Sequence, residues 1–258
     1  MNLIHVFILG IIEGITEFLP ISSTAHLIIT SRFLNIPQTE FQKFFEVFIQ
    51  SGAILAVVFI YMQYLVKKPN LIKSLTISFI PTAVIGLLFH KIIKRYFFDS
   101  LQLIEVALFS VGVLFIIFEL LVKKNKIQLT KSISQIAPSQ ALMTGLIQAI
   151  AVIPGVSRSG AVMIGMMGMG FKRDESALYS FLLAMPTIFA AGALDFYRSR
   201  DALLSDLGNL RYLLLGFLTS FIFAYISVKW LIGFLKRHTL IGFGIYRILI
   251  SLFIFYML

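Results

Sequence analysis

The 258-residue chain has no cysteine, so no disulfide ties it together and no redox compartment can be read from it. Charge is scarce as well: 13% of residues are Asp, Glu, Lys or Arg, about half of the ~25% usual in soluble domains. No polar stretch is long enough to form a soluble domain; the longest loops expected are 123–138 and 198–211. The first residues, Met1 to His5, lack the basic stretch of a signal peptide. Glu13 and Glu17 follow where a cleavage site would need small residues, so this start reads as part of the mature chain.

Apolar residues are abundant instead, at 59%. They gather in blocks at 50–66, 77–89, 106–122, 177–196, 212–228 and 240–258, most reaching or approaching the ~20 residues needed to cross a bilayer. Backbone in lipid must satisfy its own hydrogen bonds, so such blocks are helices. The net charge of +10 sits in short clusters between them, as in Lys67-Lys68, Lys91/Lys94/Arg95 and Lys123/Lys124/Lys126. Loop charges flank membrane spans in this way. Membrane lipids are therefore the expected partner, and nucleic acid is not.

Two segments, 1–31 and 139–170, start apolar and then break into polar residues and prolines. At an offset of 135 they superpose: Gly10 and Glu13 over Gly145 and Gln148, Ser22 over Ser157, with Pro20 and Pro154 one residue out of phase. Three apolar blocks follow each. This predicts one all-α integral membrane domain over 1–258, with repeat halves at about 1–125 and 135–258. Each half would be a re-entrant helical hairpin plus three transmembrane helices. An odd number of crossings inverts the second half, and inverted repeats build sites where interrupted helices meet. With both termini outside, the inner loops carry eleven basic residues. The outer loops carry eight, among them Lys91, Lys94, Arg95, Arg198 and Arg200. That count tips the orientation this way.

The first polar cluster runs from Glu13 to His26. Glu13 and Glu17, four apart, point from one helix face. Pro20 ends that helix, Ser22 is placed to cap the next, and Ser23 and His26 lie on adjacent turns of it. The second cluster, Pro154 to Gly160, makes a turn, a capping Ser157 and a forked donor in Arg158. A helix N-terminus inside such a hairpin attracts anions. Serine, histidine and two carboxylates around it suit hydrolysis of a phosphate ester or anhydride.

Each residue also has a plainer reading. Lone serines and threonines in membrane helices are usually packing glue. Charges are different: at roughly 2.5–3.5 kcal/mol each, Glu13, Glu17 and Arg158 would together cost about 8–10 kcal/mol at mid-membrane. A structural salt bridge is the bland alternative; a site explains the cost better.

These stretches closely resemble the signature regions of the undecaprenyl-pyrophosphate phosphatase family of the bacitracin-resistance type. The match covers Glu13-Gly-Ile-Thr-Glu17-Phe-Leu-Pro-Ile-Ser-Ser-Thr-Ala-His26 and Pro154-Gly-Val-Ser-Arg-Ser-Gly160, and extends to 45–50 and 180–186. The resemblance implies conversion of a long-chain (C55) isoprenyl diphosphate to the monophosphate at the outer face of the cytoplasmic membrane. That step recycles the lipid carrier of peptidoglycan synthesis, and with it cell shape and antibiotic resistance. It further implies a divalent cation, Mg²⁺ or Ca²⁺. By motif position the catalytic set is Ser23, His26, Glu17 and Arg158, and the metal would be held partly by Glu13 and Glu17. Ser22, Thr24, Ser157, Ser159 and Gly160 would cradle the phosphate. One position departs: Val162 stands where the family commonly has threonine, which removes a hydroxyl able to bond a phosphate oxygen.

The expected chemistry is attack by Ser23 on the terminal phosphorus, with His26 or Glu17 as base; direct attack by water is the rival scheme. A transporter or lipid flippase is the alternative from another class, since inverted repeats with broken helices also build transporters. The sequence leaves a homodimer open.

Overall fold

The computed structural model describes residues 1–92, 100–204 and 209–257. Lys94 and Arg95, counted above among the outer charges, lie outside the described residues, as do the side chains of Lys91, Arg198 and Arg200. Among the described residues the chain is all-helical. Its ten α-helices are α1 (Leu3–Thr16), α2 (Ser23–Phe33), α3 (Glu40–Val66), α4 (Pro69–Ile92), α5 (Leu101–Lys123), α6 (Pro138–Ala149), α7 (Arg158–Gly168), α8 (Arg173–Leu204), α9 (Asn209–Leu235) and α10 (Ile241–Met257).

Five of them, α3, α4, α5, α8 and α9, are long and apolar enough to cross a membrane. The sixth expected span, the block at 240–258, forms only the 17-residue α10, about 25 Å long at 1.5 Å per residue. Its outward side chains are nonetheless those of a lipid-facing helix: Leu249, Phe255 and Tyr256 are exposed, as are Phe59, Leu88 and Trp230 elsewhere. One expected loop is corrected. The stretch 198–211 is largely helix, because α8 continues to Leu204 and α9 starts at Asn209. Arg198, Arg200 and Asp201 sit among good helix formers, and polarity alone does not end a helix. The 123–138 connection is a loop as expected, with one short 3₁₀ turn at Ile133–Gln135.

Close helix packing depends on small residues, which let backbones touch where lipid offers no hydrophobic drive. α1 lies along α9, and α6 lies along α4. A β-carbon on Gly10 would come within 2.9 Å of Thr219, and one on Gly145 within 2.2 Å of the Ser78 carbonyl oxygen. α5 pairs with α10, and α3 packs against α8 and α9. Hydroxyls reinforce the α4–α6 contact: Ser78 donates to the Ala141 carbonyl (2.6 Å) and Thr82 to the Gly145 carbonyl (3.1 Å). The largest core gathers Phe18, Phe115, Met163, Tyr179 and Phe181 around the inner ends of the short helices. There Phe18 meets Phe181 edge-on at 5.2 Å.

Candidate active site

Two interrupted hairpins, α1–α2 and α6–α7, meet tip to tip. In the first, the Glu17 amide still bonds to Glu13, and the chain then leaves the helix through Pro20 to Ser22. Ser22 stands at the N-cap position of α2 as expected, yet its side chain makes no capping bond. Its backbone has φ 73°. In the second hairpin a 3₁₀ turn at Ile150–Val152 leads through Gly155 to Ser157, which also has φ 73°. The Ser157 hydroxyl does cap α7, accepting from the Gly160 amide at 3.2 Å.

Glu17 is the meeting point. One carboxylate oxygen takes Arg158 Nη2 from the opposite hairpin at 3.0 Å, and the other takes the Ser23 hydroxyl. Both partners of the ion pair are largely buried, at 14% and 8% side-chain exposure. Arg158 keeps Nε and Nη1 buried without a hydrogen-bond partner among the described residues. A cavity of about 160 Å³ opens here, lined by Glu17, Ser22, Ser23, Thr24, Ser157 and Arg158, with Gln50, Thr187 and Ala191 on its far wall. The N-termini of α2 and α7 both face it, so free amides and two helix dipoles favour an anion.

Glu13 is fully buried one turn behind Glu17, and neither of its oxygens takes a hydrogen bond from a described residue. Its charged neighbours are Glu17, Glu46 and Arg158. Among the described residues no three metal-binding side chains cluster into a protein-only cage. A magnesium ion, however, needs only one or two carboxylates and fills its shell with water and phosphate. Glu17 lines the cavity and Glu13 does not; the pair fits that requirement with Glu17 as the carboxylate open to water and phosphate and the unpartnered Glu13 oxygens as the second carboxylate behind it.

The remaining expected residues are placed differently. His26 does not line the cavity. Its Nδ1 lies 2.7 Å from the Ser22 carbonyl oxygen, and its Nε2 lies 2.7 Å from the Tyr246 hydroxyl. Because a carbonyl only accepts, Nδ1 carries the proton and Nε2 accepts from the tyrosine, which engages both nitrogens. Ser159 supports rather than lines: its hydroxyl donates to the Leu19 carbonyl at 3.0 Å, tying α7 to the other tip. The Gly160 amide is taken up by Ser157. Val162 is buried in the apolar core and lines no part of the cavity, so the missing threonine hydroxyl lies behind the cradle.

Sequence reasoning assigned no role to several residues found here. Gln50 and Thr187 reach the cavity as neutral polar side chains, which carry little signal in a membrane helix. Glu46, bonded to Ser31 and Gln42, adds a third acid near Glu13. Arg247 is completely buried in α10; its lone charge inside an apolar block was the available clue.

Residues 6–253 match the family model described as bacitracin resistance protein BacA. Among curated relatives, an undecaprenyl-diphosphatase of Persephonella marina is 46% identical over 255 residues, spanning 99% of this chain and 98% of the relative. An undecaprenyl-diphosphatase of Aquifex aeolicus is 45% identical, spanning 95% and 94%. One from Methanococcus aeolicus is 40% identical, spanning 96% of each.

Proposed function

The chain belongs to the bacitracin resistance protein BacA family, and from that premise we propose that it hydrolyses undecaprenyl diphosphate to undecaprenyl phosphate and inorganic phosphate. One observation carries the reading. Arg158 and Glu17, from different hairpins, pair at 3.0 Å beside Ser23 on the cavity wall, and Arg158 keeps two further guanidinium nitrogens buried with no hydrogen-bond partner among the described residues. Buried donors on a charged group are seldom left unsatisfied in a pair that serves only the fold.

In this mechanism the free Arg158 nitrogens and the amides opening α2 and α7 hold the terminal phosphoryl oxygens. Ser23 attacks phosphorus as its proton passes to Glu17, the carboxylate to which its hydroxyl donates. The bridging P–O bond breaks and the lipid monophosphate leaves. Water then cleaves the phosphoserine, with Glu17 taking the water proton as the earlier one returns to Ser23. His26, held by Tyr246 and the Ser22 carbonyl, fixes the turn that presents Ser23. Glu13, with Glu17, would hold a Mg²⁺ or Ca²⁺ ion, which supplies positive charge to the phosphoryl oxygens.

The same reading treats the fold as an inverted repeat of two halves, each a re-entrant hairpin plus three crossings. Its support is the matched packing of α1 on α9 and α6 on α4, and the shared φ of Ser22 and Ser157. With both hairpins re-entrant and six crossings, both termini and the start of α3 would share one end. Gln50 lies 10 residues from the start of α3 and 16 from its end, which supports a cavity opening towards that end. The basic count argues that this end is the outside of a cytoplasmic membrane, where the reaction would return the lipid carrier of peptidoglycan synthesis to its monophosphate form.

Phosphate release from undecaprenyl diphosphate by the purified chain in detergent tests the function. Release by the wild type and none by R158A is the expected result; no release by the wild type refutes the reading.

A further inference from the structure

Arg247 lines no part of the cavity, yet it is fully buried in an apolar helix. Its described hydrogen-bond partners are all carbonyl oxygens. Nη1 donates to Pro20 (3.2 Å), Nη2 to Gly155 (2.6 Å) and Ala107 (3.3 Å), and Nε to Leu108 (3.4 Å). The guanidinium carbon also lies 5.5 Å from the centre of the Phe115 ring. Pro20 stands two residues before Ser22, and Gly155 two residues before Ser157. One planar group therefore grips the corresponding point of both hairpin tips.

The helix pair behind it makes this grip possible. A β-carbon on Gly112 of α5 would lie 2.8 Å from the Gly244 carbonyl oxygen, and one on Gly244 equally close to that of Gly112. With the two backbones in contact, a side chain three residues beyond Gly244 reaches the carbonyls of Ala107 and Leu108. Those bonds anchor one edge of the fork, while the rest of it reaches forward to the tips. A cation at this depth is costly, and an apolar residue of similar size would fill the space without that cost.

We infer that Arg247 is a positioning residue for the phosphatase reaction, an inference that rests on the function proposed above. By tying Pro20 to Gly155 it sets the spacing of the tips, and so the approach of Arg158 to Glu17 and Ser23. Ser159 provides a second, independent tie through the Leu19 carbonyl. Lysine keeps the charge of Arg247, but its three donors share one nitrogen and do not span the two tips and the α5 carbonyls together, as the three nitrogens of the planar fork do.

The test compares kcat, KM and thermal unfolding for wild type, R247K, S159A and the double variant, with undecaprenyl diphosphate in detergent. R247K is expected to lose about 10²-fold in kcat while KM changes by less than about threefold, the mark of misplaced rather than missing groups. Unfolding should stay near wild type. The double variant should lose more than the product of the single losses, because both ties hold one spacing. Wild-type kcat in folded R247K, an effect confined to KM, or simple multiplication of the two losses overturns the inference. So does an R247K chain that cannot fold, since Arg247 would then serve the fold alone. A wild type that releases no phosphate removes the phosphatase reading, and this inference with it.

Discussion

Ser22 and Ser157, 135 residues apart, share a backbone φ of 73°. Residues with a β-carbon rarely adopt this region, and each serine opens a helix whose first residues line the same cavity. Their hydroxyls differ: Ser157 caps its helix, and Ser22 leaves its own uncapped. The conformation is thus common to both tips, and the capping bond is not.

Glycine substitution separates the two effects. S22G relieves backbone strain and loses no cap, so it should hold or raise stability by up to about 1 kcal/mol. S157G relieves the same strain but loses a cap worth about 1 kcal/mol, so it should come out near neutral or worse. Thermal unfolding in one detergent compares them. An S22G variant less stable than S157G would contradict the assignment.

Arg158 should tolerate no substitute. R158A is expected to lower kcat by about 10³-fold or more, as loss of an arginine that meets developing phosphoryl charge does. R158K should remain about 10²-fold down, since a point charge cannot satisfy Glu17 and phosphate together. Steady-state phosphate release measures both. Near-normal kcat in R158K would show that charge alone suffices.

The convergence of Glu13, Glu17, Ser23 and Arg158 was legible in the sequence because charge inside an apolar run demands a physical reason. Arg247 carried the same signal, but it lay in a block read only for its length. Gln50 and Thr187 could not have been found that way, because an amide or hydroxyl in a membrane helix costs little and points nowhere by itself. The capping of α2 was misjudged for another reason. Serine at that position states a propensity for the N-cap, which Ser22 does occupy, but not whether its hydroxyl bonds the helix; Ser157 caps from the same φ, so the difference lies in the side chains and not in the turn. The length of α8 beyond 197 was likewise hidden, since hydropathy marks where lipid ends and not where a helix does.

Ser23 and Glu13 separate covalent chemistry from metal binding. S23A should abolish turnover and leave no phosphoserine to trap by acid quench, falling by about 10³-fold or more. E13Q should keep the Ser23–Glu17 contact but weaken binding of Mn²⁺, used as a spin-active probe for the divalent site, by about 10-fold or more. Unchanged Mn²⁺ affinity in E13Q would remove Glu13 from the metal assignment.

A second buried ion pair offers a contrast. Arg173 at the start of α8 makes a two-pronged contact with Glu119 of α5, with Nε at 2.8 Å, and the Leu240 amide bonds to the same carboxylate at 2.9 Å. None of these residues lines the cavity. R173M leaves Glu119 buried without its counter-charge, so it should destabilise the protein by about 3 kcal/mol. Below the unfolding temperature, kcat should be unaltered. A selective loss of kcat with unchanged unfolding would place this pair in the catalytic path.

The same glycine-to-alanine change should have opposite signs at two places in the helix packing. At Gly145 the new methyl would meet the Ser78 carbonyl oxygen at 2.2 Å, backbone against backbone, so α6 and α4 must separate. Separation also strains the Ser78–Ala141 and Thr82–Gly145 hydrogen bonds. G145A is therefore expected to destabilise by about 1–3 kcal/mol. At Gly86, in α4, a β-carbon would meet nothing within 4 Å. G86A then acts through backbone entropy alone and should stabilise by about 0.5–1 kcal/mol. Unfolding midpoints measured side by side decide it: a G145A variant as stable as G86A would mean that the α4–α6 contact is looser than the packing requires, and that the second hairpin is not held by backbone contact with α4.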